Sequence, residues 1–376
     1  MGEKGKLGEV ASVFFKLGVI AFGGPAAHVA MMEEEIVNKR KWMDRQHFLD
    51  LMGITNLIPG PNSTEMTMHC GQERAGVPGL FVAGFSFILP AVVITGTLAW
   101  LYSLYGDLPN LEPWIYGIKP AVLAIIAGAI FKLGKKALKG WELGILGIFV
   151  LAASLLGVNE IIALLTAGVV GAFYFSAKNK LFDNPKSIVP LFLLQIPTAT
   201  IASVSSLKVF WTFLKVGSVL YGSGYILFAY LDAELVTTGW LTRQQLMDAV
   251  AVGQFTPGPV LSTATFVGYQ LTGFWGAVAA TIGIFLPSFL FVLILNPLVP
   301  KMRKSKVLGF FLDSVNVASV SVMAGVLIEM SKISLLNWAE VTIAIISFLL
   351  IFGLKKISSM WIVLGSSFLG FLFSLI

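Results

Sequence analysis

Long uncharged apolar runs constrain the fold of this chain more than any other feature. Residues 77–106 and 273–300 contain no Asp, Glu, Lys or Arg. The other runs without such a charge are residues 143–159, 161–177, 187–207 and 357–376. A helix needs about 20 apolar residues to cross the bilayer core, whereas a β-barrel would show short segments of alternating polarity. The pattern predicts an all-α polytopic membrane protein with four firm spans in each half.

Composition narrows the class of protein further. Only 12% of the 376 residues are charged, compared with about 25% in a typical soluble domain. This excludes an ordinary cytosolic enzyme, a disordered chain and a nucleic-acid binder. The lone Cys70 excludes a disulfide framework and a cysteine-based metal site. Three scattered histidines do not make a metal site either, so we expect no metal and no other cofactor.

The chain also repeats itself. Pro59-Gly60-Pro61 recurs in the second half as Pro257-Gly258-Pro259. Further collinear matches are Trp42 with Trp240, Arg45 with Arg243, and Leu89-Pro90 with Leu286-Pro287. Such a series indicates internal duplication. We therefore divide the chain into a first repeat at residues 1–178, a linker with a single membrane crossing at 179–206, and a second repeat at 207–376.

Basic loops indicate how the two repeats are oriented. Cytoplasmic loops of membrane proteins are enriched in Lys and Arg. The loop 132–139 contains four lysines, while its counterpart in the second half has only Lys332. In the preceding loop the second half is the more basic one. Its residues 301–306 include four basic side chains, and the corresponding loop of the first half has Asp107 and Glu112. The swap predicts two inverted-topology repeats, an arrangement typical of secondary transporters.

Each Pro-Gly-Pro is predicted to break a membrane helix. Proline lacks the N–H that a helix needs, and glycine tolerates non-helical dihedrals. Asn62, Ser63 and Thr64 follow the first break and suit the N-cap of a second half-helix. Ser262 and Thr263 take similar places in the other repeat. Free N–H groups and the positive dipole end make such a start an anion site. The alternative is a proline kink with satisfied caps, but two matched breaks favour the anion site.

A second pair of breaks ends a short apolar helix in each repeat, at Gly23-Gly24 and at Gly222-Ser223. These segments form either re-entrant elements or full crossings, and the sequence leaves both open. We predict that they line the substrate site together with Thr256. The substrate-binding set also includes Pro59, Gly60, Pro61, Pro257, Gly258 and Pro259.

Four charged residues occupy matched positions in the two repeats. Lys16 and Lys215 lie in the first apolar helix of each repeat. A lysine near mid-membrane is costly and usually faces a cavity or a partner. We predict that the two lysines offset the charge of a bound dianion; the alternative is that they snorkel to the interface. Glu35 and Glu234 are expected to be helix-surface or salt-bridge groups.

Two further residues are candidates for coupling transport to a proton. Glu65 lies one turn after the first break, where the second half has Thr263. A carboxylate there can carry a coupled proton, and the alternative is that it stabilises the helix N-terminus. His28 follows the first glycine break and either contacts the substrate or supports residues that do. His47 and His69 are expected to be peripheral.

These motifs resemble the chromate ion transporter (CHR) family. The resemblance is carried by residues 22–28 (FGGPAAH), 59–66 (PGPNSTEM) and 256–259 (TPGP). It covers nearly the whole chain and matches the family's long, two-domain form. It implies export of chromate from the bacterial cytoplasm across the inner (plasma) membrane, driven by the proton-motive force and conferring chromate resistance. The second half departs from the first at Gly222–Tyr225, so the two half-sites are not equivalent.

The resemblance leaves the substrate and the mode of transport open. Chromate and sulfate are both tetrahedral dianions, so the alternative is a transporter or channel for sulfate or another oxyanion. A channel would use the same site but conduct passively. The expected partners are a small inorganic oxyanion and the lipid bilayer, without nucleic acid. A homodimer is one arrangement that the sequence allows.

Overall fold

A computed structural model describes residues 3–21, 25–55, 58–105, 112–158, 160–179, 204–220, 226–295, 305–353 and 359–375. The first-half helices are α1 (Glu3–Ile20), α2 (Pro25–Met32), α3 (Arg45–Thr55), α4 (Asn62–Tyr105), α5 (Glu112–Ala137), α6 (Trp141–Leu155) and α7 (Glu160–Lys178). The second-half helices are α8 (Ser206–Val219), α9 (Leu227–Leu231), α10 (Arg243–Phe255), α11 (Thr263–Leu295), α12 (Lys306–Ser334), α13 (Trp338–Gly353) and α14 (Ser359–Phe373). Short π-helical stretches follow α2 at Glu33–Lys39 and α9 at Asp232–Val236, and a 3-10 turn at Val260–Ser262 precedes α11.

Membrane-spanning helices dominate this architecture. Segments long and apolar enough to cross a bilayer are Asn62–Tyr105, Tyr116–Ala137, Val260–Ile294 and Lys306–Lys332. Shorter apolar helices are Trp141–Leu155, Ile162–Lys178, Trp338–Gly353 and Trp361–Phe373. The prediction of an all-α polytopic membrane protein is therefore confirmed. The predicted linker crossing involves residues 180–203, which lie outside the described part of the chain.

The helices α4 and α11 each contain a sharp bend at a matched glycine. Ala75 and Gly76 leave the helical dihedral range in α4, and Gly76 has φ of +66°. Thr272 and Gly273 do the same in α11, where Gly273 has φ of +68°. A positive φ is readily adopted by glycine and disfavoured for residues with a Cβ. The glycine at each bend therefore lets the helix change direction without a steric penalty.

The bend folds each helix back on itself. A Cβ added to Gly71 would collide with the carbonyl oxygen of Gly79, and the reverse also holds. Gly268 and Gly276 make the same close approach in α11. Eight residues of straight helix span about 12 Å, so the contact requires a chain reversal. The segment 62–74 rises only about 20 Å, which is too short to cross the bilayer core by itself.

Helices of the two halves interlock. α1 packs along α4 and α8 packs along α11, so each half begins with the same helix pair. α5 packs against α13 and α14 of the other half, and α12 packs against α6 and α7. α4 and α11 contact each other, and the main apolar core draws residues from both halves. Each half therefore depends on the other to bury its helices.

Candidate functional site

Both Pro-Gly-Pro breaks are buried, and each leads into a helix that is buried on all sides. In the first half, residues 58–61 and 63–71 are all buried. In the second half, the same is true of residues 256–268. α3 precedes the first break and α10 precedes the second, so the predicted order of helix, break and helix is confirmed. A short helix with no exposed face lies in the core of the protein.

The first helix start differs in detail from the predicted cap. α4 begins at Asn62, and the Pro61 carbonyl accepts a hydrogen bond from the Thr64 N–H at 2.8 Å. Asn62, Ser63 and Thr64 therefore form the first helical turn instead of preceding it, so the N-cap assignment is wrong by one residue. The N–H group of Ser63 has no acceptor within the helix itself. The start thus keeps a main-chain donor of the kind that an anion site requires.

Each break is held by the other half of the protein. The Gly60 N–H donates to the Leu220 carbonyl at 2.6 Å, and the Gly258 N–H donates to the Ala21 carbonyl at 2.9 Å. Ala21 and Leu220 are the residues that directly follow α1 and α8. The two hydrogen bonds are therefore reciprocal, with each half supplying one donor and one acceptor. They place each helix start beside the end of the opposite half's first helix.

Glycine is required at the centre of each break for two reasons. Gly60 has φ of +140° and Gly258 has φ of +87°, both in the range that residues with a Cβ disfavour. A Cβ on Gly60 would also collide with Oε1 of Glu65 and Oγ of Ser288. A Cβ on Gly258 would lie 2.9 Å from the Ala91 methyl carbon. Each break therefore fits closely against the long helix of the opposite half.

His28 connects the two breaks. Its Nε2 lies 3.1 Å from the Ala21 carbonyl, the acceptor that also receives the Gly258 N–H. Its Nδ1 lies 3.3 Å from the Ser63 hydroxyl at the first helix start. In the tautomer protonated at Nε2, the ring donates to the carbonyl and accepts from the serine. The counterpart of His28 in the second half is Leu227, which has no polar side chain. The second half therefore has no side-chain connection equivalent to that of His28.

Hydroxyl groups at the second helix start are engaged in structural hydrogen bonds. Thr256 and Thr263 each donate to a carbonyl of their own turn at 2.7 Å. Ser262 accepts a hydrogen bond from the Thr95 hydroxyl on α4 at 3.1 Å. These contacts stabilise the start of α11 and its packing against the first half. The predicted binding hydroxyls of Thr256, Ser262 and Thr263 therefore already have hydrogen-bond partners.

Polar side chains at the first helix start are less engaged. The Thr64 hydroxyl and both carboxylate oxygens of Glu65 have no hydrogen-bond partner among the described residues. Both side chains are 0% exposed. The hydroxyl of Ser288, which borders Gly60 from the other half, also lacks a partner in that part of the chain. Buried polar groups are normally paired. This cluster of groups without described partners therefore makes the first break the better candidate for binding a ligand.

Of the two matched lysines, Lys215 forms an ion pair with a carboxylate and Lys16 acts on one through its charge. Nζ of Lys215 lies 2.7 Å from Oε1 of Glu234. Burial raises the pKa of Glu35, but a hydrogen bond from Arg40 and the charge of Lys16 outweigh it and lower that pKa. Lys16 is itself exposed. The expected salt-bridge role of Glu35 and Glu234 is thus confirmed, and binding of substrate by Lys16 stays a prediction.

The second predicted pair of breaks falls outside the described residues. These positions are Gly23, Gly24, Gly222 and Ser223. The described chain ends α1 at Ile20 and α8 at Val219, close to where the sequence predicted that these helices end. Binding of substrate by the four residues stays a prediction.

Two residues of the first break were missed by sequence reasoning. His69 was expected to be peripheral, but it is 1% exposed and lies one helical turn beyond Glu65. Its spacing of four residues from Glu65 was a signal that could have found it. Ser288 lies far from Glu65 in sequence, and the two side chains come near each other because both border Gly60. Its one sequence signal was its position directly after the matched Leu286-Pro287.

Comparison with known proteins gives a consistent family assignment. The sequence model described as chromate transporter matches this chain twice, at residues 8–172 and 207–371. A probable chromate transport protein of Synechococcus elongatus is 30% identical over 98% of this chain and 95% of its own length. The chromate transport protein of Cupriavidus metallidurans is 29% identical over 97% of this chain and 92% of its own length. The uncharacterized transporter YwrB of Bacillus subtilis is 28% identical over 47% of this chain and 91% of its own length. No solved structure matches the chain.

Proposed function

We propose that this chain, which belongs to the chromate transporter family by the match of both its halves, is a secondary transporter that exports chromate from the cytoplasm. The proton-motive force is the proposed source of energy, and chromate resistance is the expected result in the cell. The relatives are named as transporters, and we assign this chain as a carrier and not as an enzyme. It is a multi-pass membrane protein, which in bacteria resides in the inner membrane.

The unpaired polar groups at the first helix start are the observation that carries this proposal. The N–H group of Ser63 has no acceptor within its helix, and the Thr64 hydroxyl has no described partner. The helix dipole adds roughly half a positive charge at such a start. A tetrahedral oxyanion, with four acceptor oxygens, matches this set of donors. We therefore assign the first break as the principal oxyanion site.

The second break contributes differently to the proposed site. Its hydroxyls at Thr256, Ser262 and Thr263 already have partners, so its contribution to the oxyanion comes from the dipole and main chain of α11. The hydrogen bond from Gly258 to Ala21 holds this second start against the first half. The two starts thus form one unequal site, in which the first recognises the anion and the second positions it.

Glu65 is the proposed carrier of the coupled proton. A carboxylate that is fully enclosed without a partner is strongly unfavourable in its ionised form unless a proton or a cation neutralises it. It lies in the first two turns of the helix that begins at the anion site. Binding of a dianion nearby adds to the cost of a second negative charge. Proton and anion therefore favour each other's binding. That coupling by itself suits cotransport, whereas export driven by the proton-motive force requires exchange, and the flux test decides between them.

Matched features of the two halves support an inverted repeat that alternates access to the site. Glu33 pairs with Arg45 at 2.9 Å, and their counterparts Asp232 and Arg243 pair at 3.1 Å. The half-length relative and the double family match support duplication of one unit. The basic loops at residues 132–139 and 301–306 occupy non-equivalent places in the two halves, which supports opposite orientations of the halves in the membrane. Rocking one repeat against the other would then open the central site to each side in turn.

Flux measurements in proteoliposomes test this proposal. The purified protein is reconstituted, and the movement of labelled chromate and labelled sulfate is followed with and without an imposed pH gradient. We expect concentrative chromate flux that follows the gradient, and the sign of the effective gradient separates proton exchange from cotransport. Equilibration that ignores the gradient would identify a channel. A clear preference for sulfate would overturn chromate as the substrate.

A further inference from the structure

We propose that Glu65 and His69 form one buried proton site, which the second half completes with the hydroxyl of Ser288. The inference deepens the proposed function, on which it rests, by adding a second titratable residue to the carboxylate. Glu65 alone would bind and release a proton as a single acid. A pair of neighbouring groups can share the proton and pass it between two positions.

Helical spacing and burial place the two side chains on one enclosed face of the same helix, without a direct hydrogen bond between them. Glu65 and His69 lie four residues apart in the helical segment 62–74, which has no break before Ala75. Residues at this spacing are neighbours on one helix face, with Cβ atoms about 5–6 Å apart. Glu65 is 0% and His69 is 1% exposed. The ring nitrogens of His69, like the carboxylate oxygens of Glu65, have no hydrogen-bond partner in the described part of the chain.

Ser288 brings the opposite half to this helix face. A Cβ on Gly60 would meet both the Glu65 carboxylate and the Ser288 hydroxyl, so both groups border the same glycine. The hydroxyl is buried and lacks a described partner. Beside Gly258, the matching place is taken by the methyl group of Ala91. The polar contact between halves therefore exists at the first break and is replaced by an apolar one at the second.

Other charged groups on the elements around α4 are already engaged. These are Glu9 with Arg40 and Arg74, His28 with Ser63 and Ala21, Glu33 with Arg45, Lys16 near Glu35, His47 with Glu73, and Asp248 with Tyr102 and Gln244. α11 contains no Asp, Glu, His, Lys or Arg. Cys70, the neighbour of His69, is a buried free thiol. Within the described part of α4, Glu65 and His69 are the buried titratable side chains whose polar atoms have no hydrogen-bond partner.

The charge balance of the pair suits a proton carrier. With one proton, the pair has no net charge, either as a carboxylic acid beside neutral imidazole or as a carboxylate beside imidazolium. Loss of that proton leaves one negative charge in an enclosed setting, which is costly without a partner. Counting back from the matched Gly71 and Gly268, the second half has Phe266 in place of His69. The protein therefore holds one such site and not two.

The pH dependence of chromate exchange in reconstituted protein tests the pair. In His69→Gln we expect exchange to persist, gradient-driven flux to fall at least tenfold, and the midpoint of the pH profile to move by about one unit or more. The reason is that two buried groups one helical turn apart in the proposed site titrate as a coupled pair. The double variant Glu65→Gln/His69→Gln should behave like Glu65→Gln alone, since members of one unit are not additive. His47→Gln, which changes an exposed histidine paired with Glu73, is the matched control and should leave the profile in place.

Separate outcomes distinguish this inference from the proposed function. If His69→Gln keeps the wild-type pH profile and gradient-driven flux while Glu65→Gln loses that flux, the pair is wrong and Glu65 acts alone. If Glu65→Gln also transports normally, the coupling role itself fails. Flux that follows a sodium gradient and ignores the pH gradient would overturn a proton as the ligand. His69→Phe, which copies the second half, and melting temperatures of all variants identify any loss that comes from misfolding.

Discussion

The main-chain N–H of Gly60 donates to the carbonyl of Leu220 at 2.6 Å, joining the first Pro-Gly-Pro break to the end of the second half's first helix. Gly258 returns the same contact to Ala21 at 2.9 Å. The two hydrogen bonds form a reciprocal joint between the halves at the two helix starts. A rearrangement of the halves that breaks this joint would act directly on the helix starts that we propose for substrate binding.

Replacing Gly60 with alanine should destabilise the protein more than replacing Gly239. Both glycines have a positive φ, for which a residue with a Cβ pays about 1–3 kcal/mol. Gly239 has open space around its Cα, whereas a Cβ on Gly60 would also collide with Glu65 and Ser288. Thermal unfolding of the detergent-solubilised variants measures the difference. Equal melting temperatures would show that the close packing around Gly60 does not contribute to the stability of the protein.

Replacing Thr64 with valine should weaken chromate binding without a large loss of stability. The Thr64 hydroxyl has no described partner, and a hydrogen bond to a charged group contributes about 1.5–3 kcal/mol, which is a tenfold or larger loss of affinity. Thr97→Val is the control, because Thr97 is exposed on the same helix and donates to the Val93 carbonyl. Calorimetric titration with chromate compares them. Unchanged affinity in Thr64→Val would remove this hydroxyl from the site.

Glu65→Gln should abolish pH-driven transport while chromate exchange remains measurable. The amide keeps the size of the buried side chain but cannot bind and release a proton. Glu73→Gln, which changes an exposed carboxylate of the same segment, should leave both activities near the wild-type level. Flux assays with and without a pH gradient provide the measurement. Normal gradient-driven flux in Glu65→Gln would exclude it from coupling.

Variants of Lys215 separate its two proposed roles. If the role of Lys215 is its ion pair with Glu234 at 2.7 Å, Lys215→Gln should lower the free energy of unfolding by about 1 kcal/mol or less. The double variant Lys215→Gln/Glu234→Gln should then restore most of that stability. If the lysine instead neutralises a bound dianion, chromate affinity should fall strongly in both variants. We expect the first result. Lys16→Gln, at the exposed matched position, should bind chromate almost normally under the same interpretation.

The loops at residues 132–139 and 301–306 should both face the cytoplasm. They occupy non-equivalent places in the two repeats, and each contains four basic residues. Single cysteines introduced into a Cys70→Ser background report accessibility to membrane-impermeant reagents from either side. Labelling of 301–306 from the periplasm would refute the inverted arrangement.

Local sequence pattern was sufficient for the membrane helices and for the helix starts. Uncharged runs predict spanning helices because the bilayer acts on each segment separately. Proline and glycine interrupt a helix through their own backbone chemistry, so both breaks were predicted at the positions where the structure has them. The first helical turn at Asn62 was misplaced by one residue, since an N-cap and a first turn share the same residue types.

What the sequence by itself determined is therefore the set of membrane helices, the duplicated motifs and the positions of the breaks, all of which depend on neighbouring residues. Tertiary structure alone decided which atoms meet at those breaks. Gly60 finds Leu220, and Glu65 meets Ser288 beside it, across most of the chain's length. His69 is buried near the proposed anion site in the same way. Such contacts depend on how the halves pack against each other. Helix bends and contacts between the halves bring distant residues together, and the number of residues between them does not predict this.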